Sequence, residues 1–179
     1  MRLNAEESCV LVIDIQERLV PVIHQSDSMV ENTAWLLEVA RRLNVPALFS
    51  EQYPKGLGHT VPALADYINA DNVFEKVNFS AAGEAVYSRI GSERQQFVIT
   101  GCESHICVLQ TALELLENGR QVFVLEEAVS SRTERDKALA LARMQQAGAA
   151  IVSREMVAFE WLRQAGTDAF KSISREMVK

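Results

Sequence analysis

Short unbroken apolar runs alternate along the chain with longer stretches in which apolar residues return every three to four positions. The first run, Ser8-Cys-Val-Leu-Val-Ile-Asp14, ends in an acid. Continuous hydrophobicity, without apolar/polar alternation, predicts a strand covered on both faces, as in a parallel sheet. Residues 45–50, 73–77, 96–100, 121–125 and 150–153 read as further strands, with Pro46 near the start of the second, where a missing donor matters least. Between them the period changes. Val30, Ala34 and Leu37, widened by Leu36 and Leu43, predict an amphipathic helix over 26–43 that stops at Asn44. Residues 61–68 predict a short helix with Pro62 in its first turn, and 82–90 another. Ile106, Leu109, Leu113 and Leu116 mark one face of a helix stopped by Gly119. A helix to about 146 with a Gly148 stop, a short one over 155–162 and an amphipathic tail over 167–179 complete the pattern.

Strands alternating with helices predict an α/β fold: a three-layer Rossmann-like domain with a six-stranded, mainly parallel sheet, helices on both faces and right-handed crossovers. At 179 residues, without repeats or linkers, the chain reads as one domain over 1–179, long enough for a proper core. Net charge is −6 and no Lys/Arg cluster offsets it, so neither nucleic acid nor an anionic membrane surface is expected as a partner. No apolar run reaches the roughly 18–20 residues of a membrane span. The N-terminus lacks an apolar signal core, and three unevenly spaced cysteines do not make a disulfide framework. Reduced thiols and a cytoplasmic location are the expectation.

Candidate chemistry gathers around Phe97-Val-Ile-Thr-Gly-Cys-Glu-Ser-His-Ile-Cys107-Val-Leu-Gln-Thr111, which reads as strand, tight turn and helix start. A thiol in the first turn of a helix meets unpaired N–H groups and the positive end of the dipole, which favours thiolate. Asp14 and Lys76 stand at the ends of the first and third strands, and in this architecture strand ends share one edge. Thiol, carboxylate and ammonium form a coherent nucleophilic set. The carboxylate takes the thiol proton and returns it to a leaving amine, the ammonium holds the charge, and backbone N–H groups around 101–107 face an oxyanion. Alternatives stay open at this level: Asp14 as a turn cap, Lys76 as a solvated strand end, Cys107 as a redox or structural thiol. Gly56-Leu-Gly58 lacks the third glycine of a phosphate loop, and His59 has no second histidine nearby, so no metal is expected. Cys9 reads as a small buried hydrophobe. Arg132, after the fifth strand, is either a contact for an anionic substrate or a surface residue.

Asp14 in Val-Leu-Val-Ile-Asp-Ile-Gln, Lys76 after Val-Phe-Glu, and Thr-Gly-Cys-Glu-Ser-His-Ile-Cys-Val-Leu-Gln-Thr-Ala together resemble the isochorismatase-like cysteine hydrolase superfamily, which includes nicotinamidases and N-carbamoylsarcosine amidohydrolases. The loop Ser-Glu-Gln-Tyr-Pro-Lys-Gly-Leu-Gly-His-Thr-Val-Pro narrows the resemblance to the isochorismatase-domain-containing branch. The resemblance implies Cys107 as nucleophile, Asp14 as general base and acid, and Lys76 as charge stabiliser. It also implies a cis peptide at Cys102–Glu103 and an oxyanion hole from the N–H groups of Glu103 and Cys107. Glu103 departs from the small residue or Thr usual there. Gln16, Tyr53, Phe79 and Ile106 are candidates to touch a small-molecule substrate, although the last three also fit a core. Ser50-Glu51-Gln52 stands where the nicotinamidases have their Asp-x-His metal set, so no metal or cofactor is implied. The retained cysteine favours cleavage of an amide or carbamoyl-type C–N bond. Relatives of this kind imply a homo-oligomer, a dimer, tetramer or larger. Two other readings compete: a non-catalytic oligomeric binding protein, and a redox sensor using Cys102 and Cys107.

Overall fold

The structure, a computed structural model, describes residues 1–178; Lys179, the last residue of the predicted tail helix, lies outside the described residues. Six strands form the sheet: β1 (Ser8–Ile13), β2 (Ala47–Gln52), β3 (Val73–Lys76), β4 (Gln96–Cys102), β5 (Gln121–Ser130) and β6 (Ala150–Val152). Their order is β3-β2-β1-β4-β5-β6 and every pairing is parallel. The apolar runs explain this arrangement. In β1, Val10 and Val12 pack on one face of the sheet, while Cys9, Leu11 and Ile13 pack on the other. β4 and β5 divide the same way, with Val98 and Phe123 against Phe97 and Val122. A strand so covered has no polar face to display.

On the first face lie α1 (Ser26–Arg42), α6 (Arg154–Leu162) and α7 (Asp168–Met177), contributing Leu36, Trp161 and Ile173 to the core. On the second lie α3 (Glu84–Tyr87), α4 (Leu109–Glu117) and α5 (Glu134–Ala147), with Val86, Leu115 and Met144. A single helical turn, α2 (Pro54–Leu57), and a 3-10 helix over Pro62–Tyr67 occupy the connection between β2 and β3. Each fully buried Val, Leu, Ile or Phe contributes about 1.5–3 kcal/mol, so the strand ends rest on a firm base.

Three elements differ most from the sequence expectation. β5 runs on past Leu125 to Ser130, although Glu126-Glu127 looks like a loop. The two acids are accommodated: Lys137 pairs with Glu126 at 2.7 Å, and the Arg154 N–H at the start of α6 donates to Glu127 at 2.6 Å. The helix after β4 opens with a π turn, Ser104–Val108, before α4 begins. That wider turn rotates the apolar stripe, so Leu109, Ala112 and Leu115 are buried while Ile106, Leu113 and Leu116 are half-buried. The predicted helix over 82–90 contracts to the four residues of α3.

Candidate active site

β1 and β4 are neighbours at the point where the strand order reverses, and in sheets of this kind ligands bind outside the carboxyl ends of the strands near that point. Gly101 makes the approach of the two ends feasible. It pairs with Ile13, has φ +114°, and a Cβ on it would stand 2.0 Å from the Ile13 carbonyl oxygen. Directly after β1, Asp14 turns into the left-handed region at φ 51°. Lys76 ends β3, and Cys107 lies in the π turn that follows β4. The sheet thus brings the three predicted residues together from positions far apart in sequence.

Asp14 is fully buried. Its Oδ2 accepts from Lys76 Nζ at 2.8 Å and its Oδ1 from Ser50 Oγ at 2.7 Å. The Cys107 thiol is close enough to this carboxylate for the two groups to perturb each other's titration. Burial raises the Asp14 carboxyl above its ordinary value, against the opposing pull of the Lys76 charge and the hydrogen bonds from Lys76 and Ser50. Lys76 reaches inward with only 7% of its side chain exposed and also donates to Gln52 Oε1 at 2.5 Å and to the carbonyls of Phe79 and Asn78 at 2.9 and 3.2 Å.

Cys107 departs from the expectation of a ready-made thiolate. Burial first, and the Asp14 charge second, push its thiol up to about 12, with Lys76 pulling the other way. Cys107 precedes α4 inside the π turn, and the charge that acts on it most strongly is a carboxylate. The resting thiol therefore carries its proton beside a carboxylate poised to take it. The peptide bond between Cys102 and Glu103 is cis. The Glu103 carbonyl accepts from the Ile106 and Val108 N–H groups, at 3.0 and 3.2 Å, and the Cys107 N–H is not among its donors. Among the described residues no backbone carbonyl accepts from the Glu103 N–H. Thr111 Oγ1 fastens this turn, donating to the Cys107 carbonyl at 2.6 Å and accepting from Ala81 N–H at 2.8 Å.

A cavity of about 640 Å³ opens beside Lys76, lined also by Tyr53, Phe74, Val77, Asn78 and residues 80–85. Asp14 and Cys107 lie outside its lining. Of the four candidate substrate contacts, Tyr53 lines this cavity. Phe79 is half exposed and supplies its carbonyl to Lys76. Ile106 packs against the second-face core. Gln16 is fully buried, and its amide is turned toward the 51–60 loop. Its Nε2 donates to the carbonyls of Gln52 and Gly58 at 3.0 and 2.7 Å, and its Oε1 accepts from Gln52 N–H at 2.7 Å. Gln16 is thereby a strut for the 51–60 loop.

The remaining residues fall into place around this centre. Cys102 is buried, its Sγ 3.3 Å from the Asp14 carbonyl. Glu103 pairs with Arg132 at 2.8 Å, and His59 with Glu51 at 2.8 Å. Among the described residues no cluster of three or more His, Cys, Asp or Glu side chains is arranged to hold a metal, and no helix is long and apolar enough to cross a membrane. Ser50 and Gln52 were not singled out from sequence. The available signal was their spacing: two residues apart at a strand end, they share a face with the end of β1.

This doubly wound parallel sheet, with a carboxylate, an ammonium and a thiol gathered at its carboxyl edge, is the α/β fold of isochorismatase-like proteins. The sequence model of the Isochorismatase domain matches residues 8–156, and the chain belongs to that family. It is 38% identical over 174 residues to Isochorismatase family protein 1B of Dictyostelium discoideum, covering 94% of this chain and 84% of that protein. Among solved structures it is similar to one described as MAR1 ribonuclease from Caenorhabditis elegans, with a TM-score of 0.94, 33% identity and coverage of 100% and 93% of the two chains. It is also similar to the YcaC gene product of Escherichia coli, described as an octameric hydrolase of unknown specificity, with a TM-score of 0.83, 26% identity and coverage of 92% and 83%.

Proposed function

We propose that this protein is a cysteine hydrolase that cleaves a C–N bond of a small amide or carbamoyl compound through a thioester on Cys107, without a metal or other cofactor. The observation that carries the reading is the buried Asp14–Lys76 pair at 2.8 Å, whose carboxylate acts electrostatically on the Cys107 thiol. Asp14 takes the thiol proton as Sγ attacks the carbonyl carbon. The oxygen gains the charge beside the N–H groups of Glu103 and Cys107. Collapse breaks the C–N bond, and Asp14 returns the proton to the leaving nitrogen. Water then attacks the thioester, giving one proton to Asp14, which passes it back to the departing Cys107 sulfur. Lys76 stays charged throughout and offsets the negative charge that moves between carboxylate and sulfur.

The cavity beside Lys76, with Tyr53 and Phe74 in its wall, holds the remainder of the substrate in this reading. A small molecule is favoured over RNA because the net charge is −6 and the lysines of the cavity wall, Lys55 and Lys76, are matched by Glu75 and Glu84. A homo-oligomer belongs to the same reading. Tyr53, Val77 and Phe79 stand more than half exposed at the rim, and the similar E. coli structure is described as octameric. Three free, buried cysteines fit a reducing, cytoplasmic setting. The test is a screen of small amides, carbamoyl compounds and RNA with the wild type and Cys107→Ala. Ammonia release that disappears in the variant supports the reading. Hydrolysis that survives in the variant, or Cys107-dependent RNA cleavage without amide hydrolysis, overturns it.

A further inference from the structure

Asp14 and Lys76 are each gripped by a side chain from the end of β2 to which the chemistry above gives no part. Ser50 and Gln52 are two positions apart, so both face the site, while Glu51 between them faces away. Ser50 stands in register with Ile13 and is 1% exposed. Its Oγ donates to Asp14 Oδ1 at 2.7 Å, while Lys76 takes Oδ2 at 2.8 Å. Both carboxylate oxygens are thereby fixed, and the group is held from rotating. Gln52 sets its Oε1 2.5 Å from Lys76 Nζ and donates from Nε2 to the Val77 carbonyl at 2.9 Å. Gln16 clamps the Gln52 backbone on both its N–H and its carbonyl. On the opposite face Glu51 accepts from Thr60 N–H at 2.7 Å and Thr60 Oγ1 at 2.9 Å, so the loop cannot drag β2 out of register.

We infer that Ser50 and Gln52 are positioning residues of the Asp14–Lys76–Cys107 set: Ser50 orients the Asp14 carboxylate and restrains it from taking the thiol proton, and Gln52 holds the ammonium where the resulting charges need it. The inference rests on the reading of Cys107 as the reacting thiol. The step concerned is one proton transfer. The Cys107 S–H bond breaks, an Asp14 O–H bond forms, the electron pair stays on sulfur, and Lys76 remains an ammonium. A hydrogen bond from Ser50 favours the charged carboxylate and so opposes the transfer. An ammonium fixed by Gln52 favours the thiolate it faces. The titratable groups facing Asp14 are Lys76 from β3, Cys102 at the end of β4 and Cys107 from the π turn, with Glu103 next to Cys102.

The two residues therefore pull in opposite directions, which makes the inference testable without a known substrate. The probe is iodoacetamide, with carbamidomethylation of Cys107 followed by peptide mass spectrometry between pH 5 and 9 on the full chain. In Ser50→Ala, Asp14 becomes more basic. The acid limb of the alkylation profile moves up by about one pH unit and the plateau rate rises about tenfold. Ser50→Thr, which keeps the hydroxyl, restores the wild-type profile. In Gln52→Met, the plateau falls about tenfold. General loosening would speed alkylation in every variant, Ser50→Thr included, without moving the limb. That result, or an unshifted limb in Ser50→Ala, overturns the inference. If Ser50→Ala does not fold, Ser50→Thr matching the wild type together with the opposite-signed Gln52→Met result decides it, and Gln52→Met at or above the wild-type rate refutes it. Should ammonia release survive Cys107→Ala, the hydrolase reading fails alone, since the alkylation profile stands independently of turnover.

Discussion

Replacing Lys76 by Met removes one partner of the ion pair on which the site is built. Asp14 is 0% and the Lys76 side chain 7% exposed, so water screens little of their attraction. Removing one partner of a buried pair typically costs about 3–5 kcal/mol, because the other charge is left uncompensated. Met keeps most of the stem volume, so the packing loss is small. The cost depends on pH, with a definite sign. Burial raises the folded Asp14 carboxyl above its unfolded value, so the folded state holds that proton more tightly. The stability linked to the neutral carboxyl is present below the unfolded value and is lost as pH rises through the folded one. Without Lys76, which pulls the carboxyl down, the folded value rises further and the loss extends to higher pH. Urea unfolding at pH 5 and pH 9 measures this. With a slope of about 2 kcal/mol/M, the midpoint of Lys76→Met should fall by about 2 M at pH 9 and by clearly less at pH 5. Asp14→Asn together with Lys76→Met should recover much of the loss at pH 9. An equal loss at both pH values, or one below about 1 kcal/mol at pH 9, would refute the argument, since that is the behaviour of a solvated surface pair.

Other consequences are as direct. Because burial and Asp14 hold the Cys107 thiol at about 12, iodoacetamide should modify it on the pH 5–9 plateau more slowly than it modifies free cysteine at pH 7, with a second rise above pH 9 as the thiol itself ionises; faster modification at pH 7 would mean a preformed thiolate. Gly101→Ala forces a Cβ against the Ile13 carbonyl and a left-handed φ on a non-glycine residue, so it should destabilise by about 3 kcal/mol or more in urea unfolding. Gln16→Leu leaves the half-buried Gln52 N–H without its side-chain acceptor, at about 1–3 kcal/mol, and hydrogen exchange at Gln52 and through 57–60 should accelerate while the core of β4 stays protected.

The sheet was legible because its strands are buried on both faces. A run such as residues 8–14 has no other use for six consecutive buried side chains, and the residue that ends it falls at the carboxyl edge. Asp14, Lys76 and Cys107 could be placed together for that reason. What stayed hidden depends on side-chain direction and tertiary partners. Gln16 follows Asp14 by two positions and looked available to a substrate, yet its amide meets the backbone of Gln52 and Gly58. Ser50 read as the last residue of a strand; only the register of β2 on β1 reveals that its hydroxyl reaches Asp14. The π turn cannot be seen in a pattern of period 3.6, and it displaced the expected Ile106 face. Glu126 and Glu127 looked like a loop because the cations and N–H groups that meet them come from α5 and α6. The state of the thiol is hidden from the sequence for a similar reason. Helix position spoke for thiolate, whereas the Asp14 charge and burial, both set by the fold, decide for the proton.

The central claim is that Cys107 forms a covalent acyl intermediate with Asp14 as its proton partner. Quenched-flow intact-mass spectrometry, run on those amides and carbamoyl compounds from which the wild type releases ammonia, tests it directly. The predicted result is a transient mass increase equal to the acyl group, mapping to the peptide that contains Cys107 and absent from Cys107→Ala, which also releases no ammonia. Ammonia release by Cys107→Ala at the wild-type rate, or an adduct that maps to another residue, contradicts the account.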